Sequence, residues 1–192
     1  MKVKTIIDED FVNYKKPSMF IATTECDWKC CKECGKNICQ NMQLAQMSDV
    51  EISPETLISR FKANFISEAI VFGGLEPLYA PDNHVHAFNE FSHYIYLLPH
   101  FTDVVVYTGY YPSEIHYSNF QFWQAQTNSI HGNLIFKFGR YIPNKPSRRD
   151  PILGVELASN NQFAININAI NAENAEEAWR KMVEIEKQYH YI

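Results

Sequence analysis

The sequence predicts an α/β fold built on a mostly parallel sheet. Short apolar and β-branched runs alternate with segments in which apolar residues recur at helical spacing, and this alternation is typical of parallel βαβ units. The chain has 192 residues, a length that supports one hydrophobic core and leaves little room for a second domain. We therefore expect residues 1–192 to form one domain.

Five segments have the composition of buried strands, because apolar or β-branched residues dominate each of them. They are Met19–Thr23, Glu68–Phe72, Asp103–Tyr107, Asn133–Phe138 and Phe163–Ile167. Parallel strands joined by right-handed crossovers place their carboxyl ends along one edge of the sheet. Ligands of such sheets bind beyond that edge.

Helices are expected between and after these strands. Ser53 can cap a helix that begins with Pro54, since a proline at the first position loses no hydrogen bond. Residues Val85–Leu98 have aromatic and aliphatic side chains at helical spacing. The C-terminal segment, about 172–190, has the pattern of an amphipathic closing helix. Gly139–Pro151 contains three prolines and is predicted to be a loop.

Composition excludes several classes of protein. A formal net charge of −5 disfavours non-specific nucleic-acid binding. No apolar run has membrane-spanning length, so we expect no membrane partner, and the N-terminal residues lack the apolar core of an export signal. The five cysteines are an odd number and all local, which makes a poor disulfide framework. A reducing cytoplasm suits them better.

The cysteines are the most crowded feature of the chain. They are Cys26, Cys30, Cys31, Cys34 and Cys39. Thiolates so close together can converge on zinc or on an iron–sulfur cluster. A zinc knuckle would pair Cys26 with Cys30 and Cys34 with Cys39, although these gaps are looser than the usual zinc spacing. The cysteines alone leave both metals open.

Three further motifs accompany the cysteines. They are VFGGLEPLY at Val71–Tyr79, VVVYTGYYP at Val104–Pro112 and ELASNNQ at Glu156–Gln162. Glycines at a strand end let the backbone approach a ligand closely. Cys26, Gly73–Gly74 and Tyr107–Tyr110 each follow a predicted strand directly, so we expect all three to face the same edge of the sheet.

With Cys26-x-x-x-Cys30 and GGLEPL, the sequence resembles the radical S-adenosylmethionine (SAM) superfamily. That superfamily has C-x-x-x-C-x-x-C followed by a GGEP-like motif. The YTGY and SNNQ segments resemble its anaerobic ribonucleoside-triphosphate reductase activating branch. The third cysteine is displaced in this chain. Cys39, which precedes Gln40–Asn41, is the favoured third cysteine, and Cys34 is the alternative.

The resemblance implies an open partial (β/α) barrel of the radical SAM type. It also implies a 4Fe–4S cluster held by three cysteines in a cluster loop at about 24–42, with one iron left for SAM. It assigns no catalytic residue beyond the cluster ligands. The residues it implies for SAM binding are Gly73, Gly74, Glu76, Pro77, Tyr107, Gly109, Asn161 and Gln162.

The activity implied is that of a radical SAM oxidoreductase of the activating-enzyme type. Such an enzyme cleaves SAM reductively to a 5′-deoxyadenosyl radical and takes a hydrogen atom from a glycine of a large partner, here an anaerobic ribonucleotide reductase. An electron donor such as flavodoxin is implied as well. Two alternatives stay open: a compact radical SAM enzyme acting on a small molecule or peptide, similar to the 7-carboxy-7-deazaguanine synthases, and a zinc-stabilised binding module.

Overall fold

A six-stranded sheet forms the centre of the molecule. The structure is a computed structural model that describes residues 1–81, 86–127 and 131–190. Its strands are β1 (Lys2–Val3), β2 (Thr5–Asp10), β3 (Ser18–Ala22), β4 (Val50–Glu51), β5 (Ala69–Gly73), β6 (Asp103–Tyr107), β7 (Leu134–Phe138), β8 (Arg148–Arg149), β9 (Glu156–Leu157) and β10 (Phe163–Asn166). Its α-helices are α1 (Lys29–Cys34), α2 (Met42–Ala45), α3 (Pro54–Ala63), α4 (Ala87–Ser92), α5 (Tyr117–Thr127) and α6 (Ala175–His190).

The sheet is mostly parallel and does not close on itself. Its strand order is β10-β7-β6-β5-β3-β2, in which β3, β5, β6 and β7 run parallel. The two outer strands, β2 and β10, are antiparallel to their neighbours. Each parallel strand lies beside the previous one, so the crossovers all progress in one direction. The predicted α/β class with a mostly parallel sheet is confirmed.

The two faces of the sheet are covered differently. The helices cover one face, where Leu57, Phe88 and Trp123 pack against alternate strand residues such as Phe72 and Phe136. The opposite face, called here the loop-covered face, holds a smaller core. That core joins Val71, Val105 and Ile135 of the central strands to Tyr14 and Leu153 of loop segments and to Leu157 of β9. This asymmetry leaves room for a cavity on the loop-covered side.

A buried carboxylate ties that loop cover to the sheet. Asp103, only 1% exposed, accepts hydrogen bonds from the Tyr14 hydroxyl at 3.0 Å and from the backbone N–H of Asn133 at 2.8 Å. The Lys16 ammonium lies 2.6 Å from the same carboxylate. Burial alone would raise the pKa of Asp103, but the hydrogen bonds from Lys16 and Asn133 outweigh it and lower the pKa.

We expect Asp103→Asn to lower the free energy of unfolding by about 2 kcal/mol, because a charged acceptor of several hydrogen bonds is lost. The lowered pKa means that the carboxylate stabilises the fold above the unfolded pKa of about 4 and stops doing so as pH falls through the folded value. Measured by urea unfolding, the free energy of unfolding of the wild type should therefore fall more between about pH 5 and pH 3 than that of Asp103→Asn. Equal losses in the two proteins would contradict this account.

A control for this change is Asp8→Asn. Asp8 pairs with Arg60, both side chains are 44% exposed, and such surface pairs contribute about 0–1 kcal/mol. The control should therefore leave the unfolding midpoint close to that of the wild type.

The five predicted strands occur as β3, β5, β6, β7 and β10, and the helix predicted from Ser53 occurs as α3. Ser53 caps it by accepting the backbone N–H of Thr56 at 3.1 Å. The C-terminal helix begins at Ala175, three residues later than about 172, because the Asn174 side chain caps it by accepting the N–H of Glu177 at 3.0 Å.

Other expectations need correction. The helix predicted over Val85–Leu98 is shorter: α4 ends at Ser92, a 3-10 turn follows at Ile95–Leu97, and Val85 lies outside the described residues. The loop predicted over Gly139–Pro151 contains strand β8, which pairs with β9 to form a hairpin. Within the described ranges, no helix is long and apolar enough to cross a membrane.

Candidate functional site

A cavity of about 460 Å³ lies beyond the carboxyl ends of the parallel strands and on the loop-covered face. Its walls come from the loop after β3, the ends of β5, β6 and β7, and the β8–β9 hairpin. The lining includes Cys26, Cys30, Cys39, Gly74, Glu76, Tyr107, Gly109 and Gln162. The expectation that the segments after β3, β5 and β6 share one edge is therefore confirmed.

Three of the five cysteines line this cavity. Cys26, Cys30 and Cys39 do so, whereas Cys31 and Cys34 are absent from its lining. The sulfur atoms of Cys26 and Cys39 have similar local partners. Each accepts a backbone N–H from the residue two positions later, from Trp28 at 3.3 Å and from Asn41 at 3.4 Å. N–H donors of this kind favour a thiolate over a thiol.

Burial favours the protonated form of two of these thiols, Cys26 and Cys30, by raising their pKa values. Burial raises the pKa of Cys26 to about 12, and the nearby carboxylates Glu76 and Asp27 add to the effect. Burial also raises the pKa of Cys30 to about 12, with Cys31 and Cys39 contributing. All five cysteines are free, and across the described residues no three His, Cys, Asp or Glu side chains already converge as metal ligands. Binding a metal here would release protons and draw the sulfurs together.

A buried carboxylate forms part of the same cavity. Glu76 is 6% exposed, and its carboxylate accepts hydrogen bonds from the backbone N–H of Gly109 at 2.7 Å and of Leu78 at 3.1 Å. The Thr108 hydroxyl donates to it at 2.7 Å. Burial raises the pKa of Glu76 to about 7, although these donors act in the opposite direction.

A buried ammonium group also lines the cavity. Lys137 projects from β7 on the loop-covered face, is 6% exposed and donates to the carbonyl oxygen of Gly139 at 2.7 Å. Burial lowers the pKa of Lys137 to about 7, while the charge of Glu76 acts to raise it. One cavity therefore holds an acidic and a basic side chain, Glu76 and Lys137, both largely removed from water.

The double-glycine segment joins the cysteine loop to the sheet. Gly74 has a left-handed φ of 79°, and a side chain there would lie 2.6 Å from Leu44 Cδ2. The Asn41 side chain donates to the carbonyl oxygen of Gly74. The residue two positions after Cys39 thus holds the cysteine loop against the end of β5. Gly73 and Pro77, both expected at the site, are buried but do not line the cavity.

Tyrosines close the cavity at the end of β6. The Tyr107 hydroxyl donates to the carbonyl oxygen of Asn13, which anchors the 11–17 segment. The Tyr110 hydroxyl donates to Asp27 at 2.9 Å, next to the cysteine loop. Gly109 lies between them, and a side chain there would lie 3.4 Å from a carboxylate oxygen of Glu76. The YTGY segment therefore joins the end of β6 to the 11–17 segment and to the cysteine loop.

The two amides expected from the ASNNQ segment differ in position. Gln162 lines the cavity and donates to the carbonyl oxygen of Gly139 at 3.2 Å. Asn161 lies behind the cavity wall, where its side-chain N–H₂ donates to the Tyr111 hydroxyl at 3.0 Å and to the carbonyl oxygen of Arg140 at 2.8 Å. Asn161 therefore supports the wall and does not line the cavity.

Sequence reasoning missed Asp27, Lys137 and Arg140, which all line the cavity. For Lys137 a signal was present, since a single lysine interrupts the apolar strand LIFKF. A charge inside a buried strand is costly unless it has a partner or a ligand.

With this geometry in place, comparison with known proteins finds no matching family model and no significant match to a curated protein or a solved structure.

Proposed function

We propose that this chain is an iron–sulfur radical SAM enzyme that cleaves SAM reductively to a 5′-deoxyadenosyl radical. One observation carries the proposal: three cysteines, the buried Glu76 and the buried Lys137 line a single cavity at the carboxyl ends of parallel strands. Its volume of about 460 Å³ lies within the usual range for small-molecule sites.

The donor set suits a cluster with one open iron. Cys26, Cys30 and Cys39 would hold three irons of a 4Fe–4S cluster, and all three residues line the same cavity. Cys34 is the weaker candidate for the third ligand because it ends α1 and does not line the cavity. When bound, the cluster supplies the electron that cleaves the carbon–sulfur bond of SAM.

Lys137 and Glu76 together suit the carboxylate and amino groups of SAM. An ammonium has three donors, so Lys137 can bind a carboxylate while it keeps its hydrogen bond to Gly139. Glu76 supplies a negative charge for the ligand's amino group. Because both groups are buried, each attraction is stronger than it would be in water. Lys137 and Glu76 would therefore hold an amino-acid moiety in the cavity that the cysteines line.

We further infer that the fold is an open partial barrel of the radical SAM type and that the substrate is a glycine in a large glycyl-radical protein, an anaerobic ribonucleotide reductase. The sheet is not closed, and loops together with the short β8–β9 hairpin cover the cavity side. Hydrogen transfer needs the reacting atoms roughly 3–3.5 Å apart, so a protein loop must enter the cavity. Flavodoxin, or a donor like it, would supply the electron.

The test combines the chain with reductant, SAM and a candidate ribonucleotide reductase under anaerobic conditions. Electron paramagnetic resonance should show a glycyl doublet that collapses when the Cα hydrogens of glycine are replaced by deuterium. SAM cleavage that depends only on a small metabolite, with no radical on the reductase, would indicate a small-molecule enzyme instead. Stoichiometric zinc without iron after anaerobic purification would indicate a zinc-stabilised module.

A further inference from the structure

Helix α1, which carries Cys30, is held neither by buried side chains nor by a side-chain cap. It is six residues long and has no buried residue. Its N-cap residue, Trp28, has a left-handed φ of 58° and makes no side-chain cap. A helix this short is not stable on its own in water. The position of α1 must therefore come from contacts made by its polar side chains.

Polar contacts join α1 to the ends of β6 and β7. The Glu33 carboxylate accepts a hydrogen bond from Arg140 Nε at 2.7 Å. The Lys29 ammonium donates to Glu114 at 3.2 Å. Arg140 follows β7 and Glu114 ends the 3-10 turn Pro112–Glu114. Both partners therefore lie in segments that follow the central strands β6 and β7.

Arg140 lies at the centre of these contacts. Its side chain is only 8% exposed and forms a two-pronged pair with Glu114, with N–O distances of 2.5 and 3.1 Å. The same guanidinium donates to the carbonyl oxygen of Gly109 at 3.0 Å and lies 4.8 Å from the centre of the Tyr111 ring. The N–H of Gly109 in turn donates to Glu76. Arg140 therefore connects α1 to the end of β6, where Gly109 holds the buried Glu76 carboxylate.

We propose that Arg140 is a positioning residue that fixes α1, and with it Cys30, against the end of β6. The consequence for a cluster rests on the proposed function, but the anchoring of α1 is a property of the metal-free chain. A guanidinium can bind Glu33, Glu114 and the Gly109 carbonyl at once because its donors point in fixed directions. A lysine ammonium is a point charge and does not reproduce this arrangement.

The test is hydrogen–deuterium exchange of the full metal-free chain, measured for wild type, Arg140→Gln and Arg60→Gln. In Arg140→Gln the α1 amides should exchange about tenfold faster or more, since hydrogen bonds between charged groups are lost, while α3 keeps its protection. Arg60→Gln is the matched control, because Arg60 makes a comparable two-pronged pair with Asp8, at 2.7 and 2.8 Å, on the exposed surface. It should leave α1 unchanged.

A second variant tests the same contact in a protein whose overall fold is less affected than that of Arg140→Gln. Glu33→Gln removes only the contact from Arg140 to α1, and Glu33 is 55% exposed, so the rest of the fold should tolerate it. Its α1 amides should exchange about twofold to fivefold faster, as for other exposed ion pairs. Unchanged α1 exchange in both Arg140→Gln and Glu33→Gln would overturn the proposal.

A spectroscopic measurement links this positioning to the cluster. After anaerobic reconstitution, the reduced cluster of Arg140→Gln should give a paramagnetic resonance spectrum with altered or broadened g values, whereas that of Arg60→Gln should match the wild type. Identical spectra in all three proteins would contradict a role in placing Cys30. If wild type bound no iron, the proposed function would fail, and the exchange comparison would still decide whether Arg140 anchors α1.

Discussion

Cys39→Ala is expected to abolish the iron–sulfur cluster, whereas Cys34→Ala is expected to keep it. Cys39 lines the cavity with Cys26 and Cys30, and Asn41 holds its loop against Gly74. Removing one of three thiolates leaves two irons without a protein ligand, which a cluster open at one iron does not tolerate. Iron content and the broad absorbance near ~400 nm typical of cysteine-held clusters measure the loss.

The matched cysteine variants make this prediction specific. Cys26→Ala and Cys30→Ala should lose the cluster as Cys39→Ala does. Cys31→Ala should resemble Cys34→Ala, since neither side chain lines the cavity. A full cluster in Cys39→Ala, together with its loss in Cys34→Ala, would move the third ligand to Cys34.

Lys137→Met is expected to weaken SAM binding without lowering the free energy of unfolding. Burial of an ammonium disfavours its charged form, so an apolar side chain of similar length should keep or raise the free energy of unfolding. The same change removes the positive charge that we assign to the carboxylate of SAM. We expect SAM affinity to fall about 10- to 100-fold, the effect of losing a hydrogen bond between charged groups. Isothermal titration and urea unfolding measure the two quantities.

Lys4→Met is the matched control for this experiment. Lys4 is also largely buried, at 8% exposed, but it pairs with Asp49 at 2.7 Å and lies outside the cavity. It should leave SAM affinity unchanged. The opposite result would be a Lys137→Met protein that is less stable and binds SAM as the wild type does. Lys137 would then be a structural lysine, and Lys137 and Glu76 would not form a ligand site.

The central strands were predictable because apolar residues dominate each of them, as is typical of parallel strands buried on both faces. Strand β2 was missed because it is an edge strand whose sequence, TIIDED, is half acidic. Helix α5 was missed for a related reason: within the eleven residues of Tyr117–Thr127, only Phe120 and Trp123 are buried, so its helical pattern is weak.

The candidate site was predictable only where residues are clustered in sequence. Cysteines and glycines stand in short motifs, and the strands before them locate them on one edge of the sheet. Arg140 and Glu33 are 107 residues apart, and their pairing depends on the tertiary fold. The same limit applies to Lys137, on β7, and Glu76, in the segment after β5, which share a cavity only because β5 and β7 flank β6.

The most direct measurement for the central claim is the amount of 5′-deoxyadenosine formed after anaerobic reconstitution with iron and sulfide, followed by addition of reductant and SAM. The wild type should bind a 4Fe–4S cluster and form 5′-deoxyadenosine, while Cys39→Ala, treated in the same way, should form none. A wild-type protein that carries its full complement of iron yet leaves SAM intact under these conditions would contradict the account.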